Sequence, residues 1–103
     1  MKHSKIFLRE DGSEVEIYTM IRIESSAHDY CEITWLVDVA IKSPIEKEFH
    51  DCCDGMYDHG YRKSSKQARL KRKEERILEF VTKEEIQEVK IELWEKLKPE
   101  QLK

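Results

Sequence analysis

The chain has 103 residues, which is enough for one domain and too few for two. Charged residues make up 40% of it, and no apolar run approaches the roughly 20 residues of a membrane span. Residues 1–5 have no apolar stretch after their charges, so we expect neither a secretory signal nor a membrane anchor. The three cysteines include an adjacent pair and form a poor disulfide framework, which predicts reduced thiols in the cytoplasm.

Alternating apolar and polar residues in the first 42 positions predict an antiparallel sheet. Asp11-Gly12 is a strong hairpin signal, because both residues tolerate the positive φ angles of a two-residue turn. Such a turn would pair Leu8 with Val15 on the apolar face and Arg9 with Glu14 on the other face. The predicted strands are at about 5–10, 13–24 and 30–42.

Two capping-box patterns predict helix starts in the second half of the chain. Ser43 with Glu46 begins the first, and Thr82 with Glu85 begins the last. The predicted helices are at about 44–54, 64–81 and 83–98. The sequence therefore predicts a single α+β domain over residues 1–103, a three-stranded antiparallel β-meander followed by three helices packed on one sheet face.

A basic segment at residues 62–76 has a net charge of +6, against −9 for the rest of the chain. Lys66, Arg69, Lys73 and Arg76 share one helix face, where a row of cations could contact successive phosphates. The segment has no aromatic residue to stack on bases, and the whole chain is acidic at net −3. A solvated face and an acidic protein partner remain alternatives. The candidate binding residues are Arg62, Lys63, Lys66, Arg69, Lys73 and Arg76.

Metal-ligand side chains are concentrated at residues 50–59. His50, Cys53 and Asp54 would lie at helical spacing, and His59 could complete a site. No Cys-x-x-Cys pair is present, and the simpler interpretation is that the cysteines pack as small apolar residues. The sequence therefore predicts no metal and no cofactor, with these four residues as the candidates if a metal binds.

Apolar residues also occur on the predicted outer face of the sheet, which the helices would not cover. Phe7, Tyr18, Met20 and Leu36 lie there among acidic residues. A mixed face of this kind indicates either a solvated surface or an interface with another chain, including a second copy in a homodimer.

No glycine-rich phosphate loop, zinc-finger spacing or nucleophile motif is present, so the sequence predicts no enzyme. The leading hypothesis is a small cytoplasmic protein that acts by protein–protein contact as an adaptor, regulator or inhibitor. Small, highly charged accessory proteins of phages and mobile elements are similar in type. The alternative is a nucleic-acid-binding module that uses the basic helix 62–76. A metal-dependent enzyme or metal-binding domain that uses the residues 50–59 cluster is the third hypothesis.

Overall fold

A four-stranded antiparallel sheet with two helices forms the described part of the chain. The computed structural model describes residues 1–25, 31–53 and 66–101. The strands follow one another across the sheet in chain order, as in a meander. This confirms the α+β class. The elements are β1 (Lys2–Leu8), β2 (Glu14–Ser25), β3 (Cys31–Lys42), β4 (His50–Asp51), α1 (Lys66–Ile77) and α2 (Lys83–Gln101).

The core lies between the odd-numbered face of the sheet and α2. Ile17 and Val39 on the strands and Val89 and Leu93 on α2 are at most 2% exposed. Trp35 is half-buried beside Ile21, Leu93 and Leu97 in a second, smaller cluster. The period-2 pattern of β2 and β3 therefore produces one buried face, which the apolar stripe of α2 covers.

The hairpin between β1 and β2 differs from the predicted two-residue turn. Its loop has three residues, because the Arg9 N–H donates to the Ser13 carbonyl at 2.8 Å and the Gly12 N–H donates to the Arg9 carbonyl at 3.0 Å. Gly12 has a φ of +88°, which the last position of such a loop requires. The Asp11 carboxylate accepts the Ser13 N–H at 2.9 Å and stabilises the turn.

The longer loop shifts the strand register by one residue. Phe7, rather than Leu8, pairs with Val15. Because side chains alternate between faces, this shift moves Phe7 to the core side and turns Ile6 and Leu8 outward. The predicted placement of Phe7 on the outer face was therefore wrong.

The predicted helix at 44–54 is absent from the described residues, which here extend to Cys53. Its capping-box hydrogen bond does form, with the Ser43 N–H donating to Glu46 Oε1 at 2.8 Å, but it closes a turn. The chain then reverses, and β4 pairs with the end of β3. The Cys52 N–H donates to the Val39 carbonyl at 3.0 Å, so this backbone hydrogen-bonds to the sheet and not within a helix.

The two helices contribute unequally to the fold. α2 begins where the Thr82 capping box predicts and continues past Pro99 to Gln101. α1 ends at Ile77, a buried residue, whereas Leu70 is 57% exposed and lies outside the core. Residues 64 and 65 of the predicted helix lie outside the described residues, and turns replace it after Ile77. Neither described helix is long and apolar enough to cross a membrane.

Charged contacts join β1 and the residue after it, Arg9, to α2, and His3 Nε2 on β1 lies 3.2 Å from Glu92 Oε2. Arg9 binds Glu85 through two hydrogen bonds of 2.6 and 2.9 Å, and it also donates to the Phe80 carbonyl at 2.9 Å. Lys5 lies 3.0 Å from Glu92 and 3.3 Å from Glu88. The predicted Arg9–Glu14 pair is therefore replaced by a contact with a residue 76 positions away in the sequence. These contacts fix the core side of β1 beneath α2.

Candidate functional site

The even-numbered face of the sheet is not covered by α1 or α2, and apolar side chains lie exposed on it. Leu8 is 74% exposed, Ile6 51% and Leu36 38%, and Tyr18 and Met20 are half-buried. Exposed aliphatic side chains on neighbouring strands form a continuous apolar surface only if their register brings them together. We call these five residues the outer stripe: Ile6, Leu8, Tyr18, Met20 and Leu36.

The strand register makes the outer stripe continuous across three strands. Met20 of β2 lies directly opposite Leu36 of β3. Ile6 of β1 lies opposite Glu16, so it is the diagonal neighbour of Tyr18. Diagonal neighbours on one sheet face lie within reach of aromatic and long side chains. The outer stripe therefore runs obliquely from the hairpin end of β1 to the middle of β3.

The structure places Tyr18, Met20 and Leu36 on the outer face, where the sequence predicts them. Phe7 packs against the core instead. Ile6 and Leu8, the two most exposed members of the outer stripe, were missed because the predicted register turned them inward. The signal that could have located them is Gly12, since a three-residue loop with glycine last is a common hairpin connection.

Charged side chains border the outer stripe and are partly paired. Glu14 accepts a hydrogen bond from Lys42 at 2.9 Å, and the two residues lie opposite each other on β2 and β3. Asp38 forms an ion pair with Lys73 of α1. These pairs place polar groups at the margin of the apolar residues, which is the usual arrangement of a polar rim around an apolar interface centre.

The predicted basic row on α1 is largely occupied by contacts within the chain. Lys73 pairs with Asp38. Arg76 donates to the Cys52 carbonyl at 2.9 Å and to Glu79 at 2.6 Å. Arg69 also has a partner.

Other basic residues of this segment are exposed or undescribed. Lys71 and Arg72 are exposed on α1. Arg62 and Lys63 lie outside the described residues, as does the side chain of Lys66. The four-residue row that would contact successive phosphates is therefore not presented as a free surface.

A shallow groove separates α1 from α2 above β3. Trp35 and Leu36 of the strand, Leu70 of α1 and Lys90 of α2 line a space of about 550 Å³. The Lys90 ammonium lies 5.5 Å from the centre of the Trp35 ring, which is within the range of a cation–π contact. Side chains of α1 therefore lie beside β3, and this helix flanks the β3 side of the sheet.

The helix that would bring the candidate metal residues to one face does not form in the described part of the chain. His50 lies on β4 and its Nδ1 is 3.1 Å from Glu46 Oε2. The carboxylate of Asp51 and the thiols of Cys52 and Cys53 have ligand atoms within 4.8 Å of one another. Asp54 and His59 lie outside the described residues.

The two cysteines have the environment of packed core residues. Cys52 is 2% exposed and Cys53 is 3% exposed, and their sulfur atoms are 3.8 Å apart. Burial raises the pKa of the Cys52 thiol to about 12, and it also raises the pKa of Cys53. Because the thiolate is the nucleophile, a buried thiol with a raised pKa is poorly suited to nucleophilic attack at neutral pH.

Comparison of the chain with protein-family models, with curated proteins and with solved structures finds no match. The functional argument therefore depends on the surfaces described above.

Proposed function

We propose that the chain is a non-enzymatic binding protein that contacts a protein partner through the outer stripe. The observation that carries the proposal is the apolar surface across β1, β2 and β3, with Leu8 74% exposed. Isolated exposed apolar residues are ordinary, but a continuous patch with a polar rim is typical of an interface. Tyr18 is near its centre, and tyrosine is enriched among residues that dominate binding energy.

The internal contacts of α1 favour a protein partner over nucleic acid. A phosphate-binding row needs cations that are free to replace counterions, and Lys73 and Arg76 are engaged with the chain itself. The acidic balance of the chain, net −3, also disfavours a polyanionic ligand.

Copurification from the native cells identifies the partner, and calorimetry with the purified partner then tests the surface. We expect Tyr18→Ala and Leu36→Ala each to weaken binding at least about tenfold, because each removes apolar contact area from the interface. Ile45→Ala is the matched control, because Ile45 is a 94% exposed apolar residue in the 43–49 turn and is not part of the outer stripe. Equal effects of Ile45→Ala and Tyr18→Ala would contradict the proposal.

A second pair of variants tests nucleic acid as the ligand. Lys71→Glu and Arg72→Glu reverse exposed charges on α1 and leave the sheet unchanged. The proposal predicts that these variants retain the protein partner. Tight, salt-dependent binding of DNA or RNA that these variants abolish would replace the proposed function with the nucleic-acid alternative.

A further inference from the structure

The free edge of β1 has hydrogen-bonding groups that are directed away from the sheet. Strand residues alternate between hydrogen-bonding to a neighbour and facing outward. The Ile21 N–H donates to the Met1 carbonyl and the Arg9 N–H donates to the Ser13 carbonyl, so the odd-numbered residues of β1 bond to β2. The backbone groups of Lys2, Ser4, Ile6 and Leu8 therefore face outward.

Of the features that usually protect an exposed strand, this edge has two lysines, Lys2 and Lys5, and the Lys5 ammonium is held by Glu88 and Glu92 of α2. β1 has seven residues, no proline and no bulge in its pairing with β2. Ile6 and Leu8 are both more than half exposed on it. At the other edge of the sheet, β4 covers the end of β3, and α1 flanks the middle of β3 through the Lys73–Asp38 ion pair. Among residues 1–25, 31–53 and 66–101, the edge of β1 is therefore the more accessible of the two.

We propose that two copies of the chain associate by antiparallel pairing of their β1 edges, which joins two four-stranded sheets into one of eight strands. The proposal concerns the edge of the sheet and the chain alone, so it is independent of the proposed function.

One register makes the β1 edge complementary to itself. When Ile6 faces Ile6 of the second copy on the two-fold axis, Ser4 faces Leu8, and Lys2 lies next to Glu10 in the hairpin loop that follows β1. This register pairs apolar residues at the centre and opposite charges at both ends. A shift by one pair in one direction would place Lys5 opposite Lys5 of the second copy, and a shift in the other direction would place Lys5 opposite Arg9. Like charges directly opposite each other are destabilising, so both shifts are disfavoured.

The side chains above the edge are compatible with this pairing. Glu85 is paired with Arg9, and Glu88 and Glu92 share Lys5, so two cations offset most of the negative charge of these three carboxylates on the flank of α2. In the proposed register Lys5 faces Phe7 of the second copy, and within one chain the Lys5 ammonium already lies 5.7 Å from the centre of the Phe7 ring. The dimer would also bring the two outer stripes together into one larger surface.

Analytical ultracentrifugation tests the proposal by measuring the molecular mass of the wild-type chain and of two Ser4 variants. We expect a species of twice the 12.4 kDa chain mass at micromolar concentration. Ser4→Pro should give a monomer, because it removes an outward N–H and leaves the β1–β2 hydrogen bonds in place. Ser4→Thr, which keeps the N–H, should remain dimeric. A chain that stays monomeric up to about 1 mM, or a dimer that persists in Ser4→Pro, would overturn the proposal.

Charge reversal tests the register. Lys2→Glu and Glu10→Lys should each weaken dimerisation about tenfold at low salt, since the pair occurs twice in the symmetric dimer. The double variant should return to within about twofold of wild type. Failure of the double variant to recover would rule out the proposed register.

Amide hydrogen exchange on the wild-type chain gives a readout that needs no variant. The N–H groups of Ser4, Ile6 and Leu8 should become protected as the protein concentration rises through the dimerisation range. Rapid exchange of these three amides in a sample that is dimeric by mass would contradict the proposed edge pairing.

Discussion

The two capping boxes of this protein have the same local pattern and different outcomes. At Thr82 and Glu85 the side chain and backbone hydrogen bonds of 2.9 and 3.1 Å open a helix of 19 residues. At Ser43 and Glu46 the corresponding 2.8 Å bond closes a turn before β4. A capping box thus specifies a local hydrogen bond. Whether a helix follows depends on what the next residues pack against.

The difference lies in the tertiary contacts of each box. Glu85 also binds Arg9 on β1, and the residues after it bury Val89 and Leu93 against the sheet. Ile45, inside the first box, is exposed, and after Glu46 the chain returns along β3 and buries Cys52 and Cys53. The turn itself packs against the hairpin loop, where a Cβ at Gly12 would lie 3.3 Å from Pro44 Cγ.

Among substitutions in the two capping boxes, we expect the largest loss of stability at Glu85. We expect Glu85→Ala to lower the free energy of unfolding by about 2–3 kcal/mol, because it removes the carboxylate that accepts the Thr82 N–H and leaves the Arg9 guanidinium without its partner. Urea denaturation of wild type and variant measures the change. A loss below about 0.5 kcal/mol would show that the Arg9–Glu85 contact does not stabilise the fold.

The free energy of unfolding should depend on pH through the ionisation of the Glu85 carboxyl. The Arg9 guanidinium and the Thr82 N–H lower the pKa of Glu85 from 4.5 to about 2. Because the pKa is lower in the folded state, this stabilisation is complete above pH 4.5 and is lost as the pH falls towards 2. The gap in unfolding free energy between wild type and Glu85→Gln should shrink by about 1–2 kcal/mol from pH 7 to pH 2.5. A gap that is constant over this range would contradict the assignment.

A smaller effect is expected from the other half of the same box. Thr82→Ala should cost about 1 kcal/mol, because the Glu85 N–H loses its hydroxyl partner while the Arg9 contact remains. Thermal melts report the change, with Thr82→Ser as the control that keeps the hydroxyl. A Thr82→Ser variant as unstable as Thr82→Ala would indicate that the methyl group, and not the cap, is responsible.

The smallest effect should be at the box that closes a turn. Glu46→Ala removes the bond to the Ser43 N–H and the contact with His50, both near the surface. We expect its denaturation midpoint to lie close to that of wild type and well above that of Glu85→Ala. A Glu46→Ala variant as unstable as Glu85→Ala would mean that the turn matters as much to the fold as the helix does.

The sequence predicts those elements whose structure depends on residues close together in the chain. The alternation in β2 and β3 depends on one buried face, and the start of α2 depends on a bond between Thr82 and Glu85. β4 could not be predicted in this way, because its two residues pair with β3 through backbone groups, which any sequence has. The apolar spacing of Ile45, Phe49 and Cys52 therefore predicts a helix where the chain forms a turn and a two-residue strand.

The prediction of the candidate site depended on the pairing of β1 with β2, where a shift of one residue reverses the two faces of β1. Asp11-Gly12 correctly located the hairpin, but the choice between a two-residue and a three-residue loop decides which face every β1 side chain occupies. The contact that accompanies the observed choice, Arg9 with Glu85, joins residues 76 positions apart. The local sequence pattern does not reveal this contact. The sequence therefore predicts Phe7 on the outer face of the sheet, in place of Ile6 and Leu8.

The charged contacts between β1 and α2 also have a consequence for the time course of folding. Those of Lys5 and Arg9 join residues separated by 76 to 87 positions, so the first strand acquires its covering only when the last helix packs on it. Contacts of such high sequence separation require the closure of a long loop before they stabilise anything, and they slow folding. During that interval the β1–β2 hairpin has both faces open to water, and its persistence depends on the turn at Gly12 and on pairing with β3.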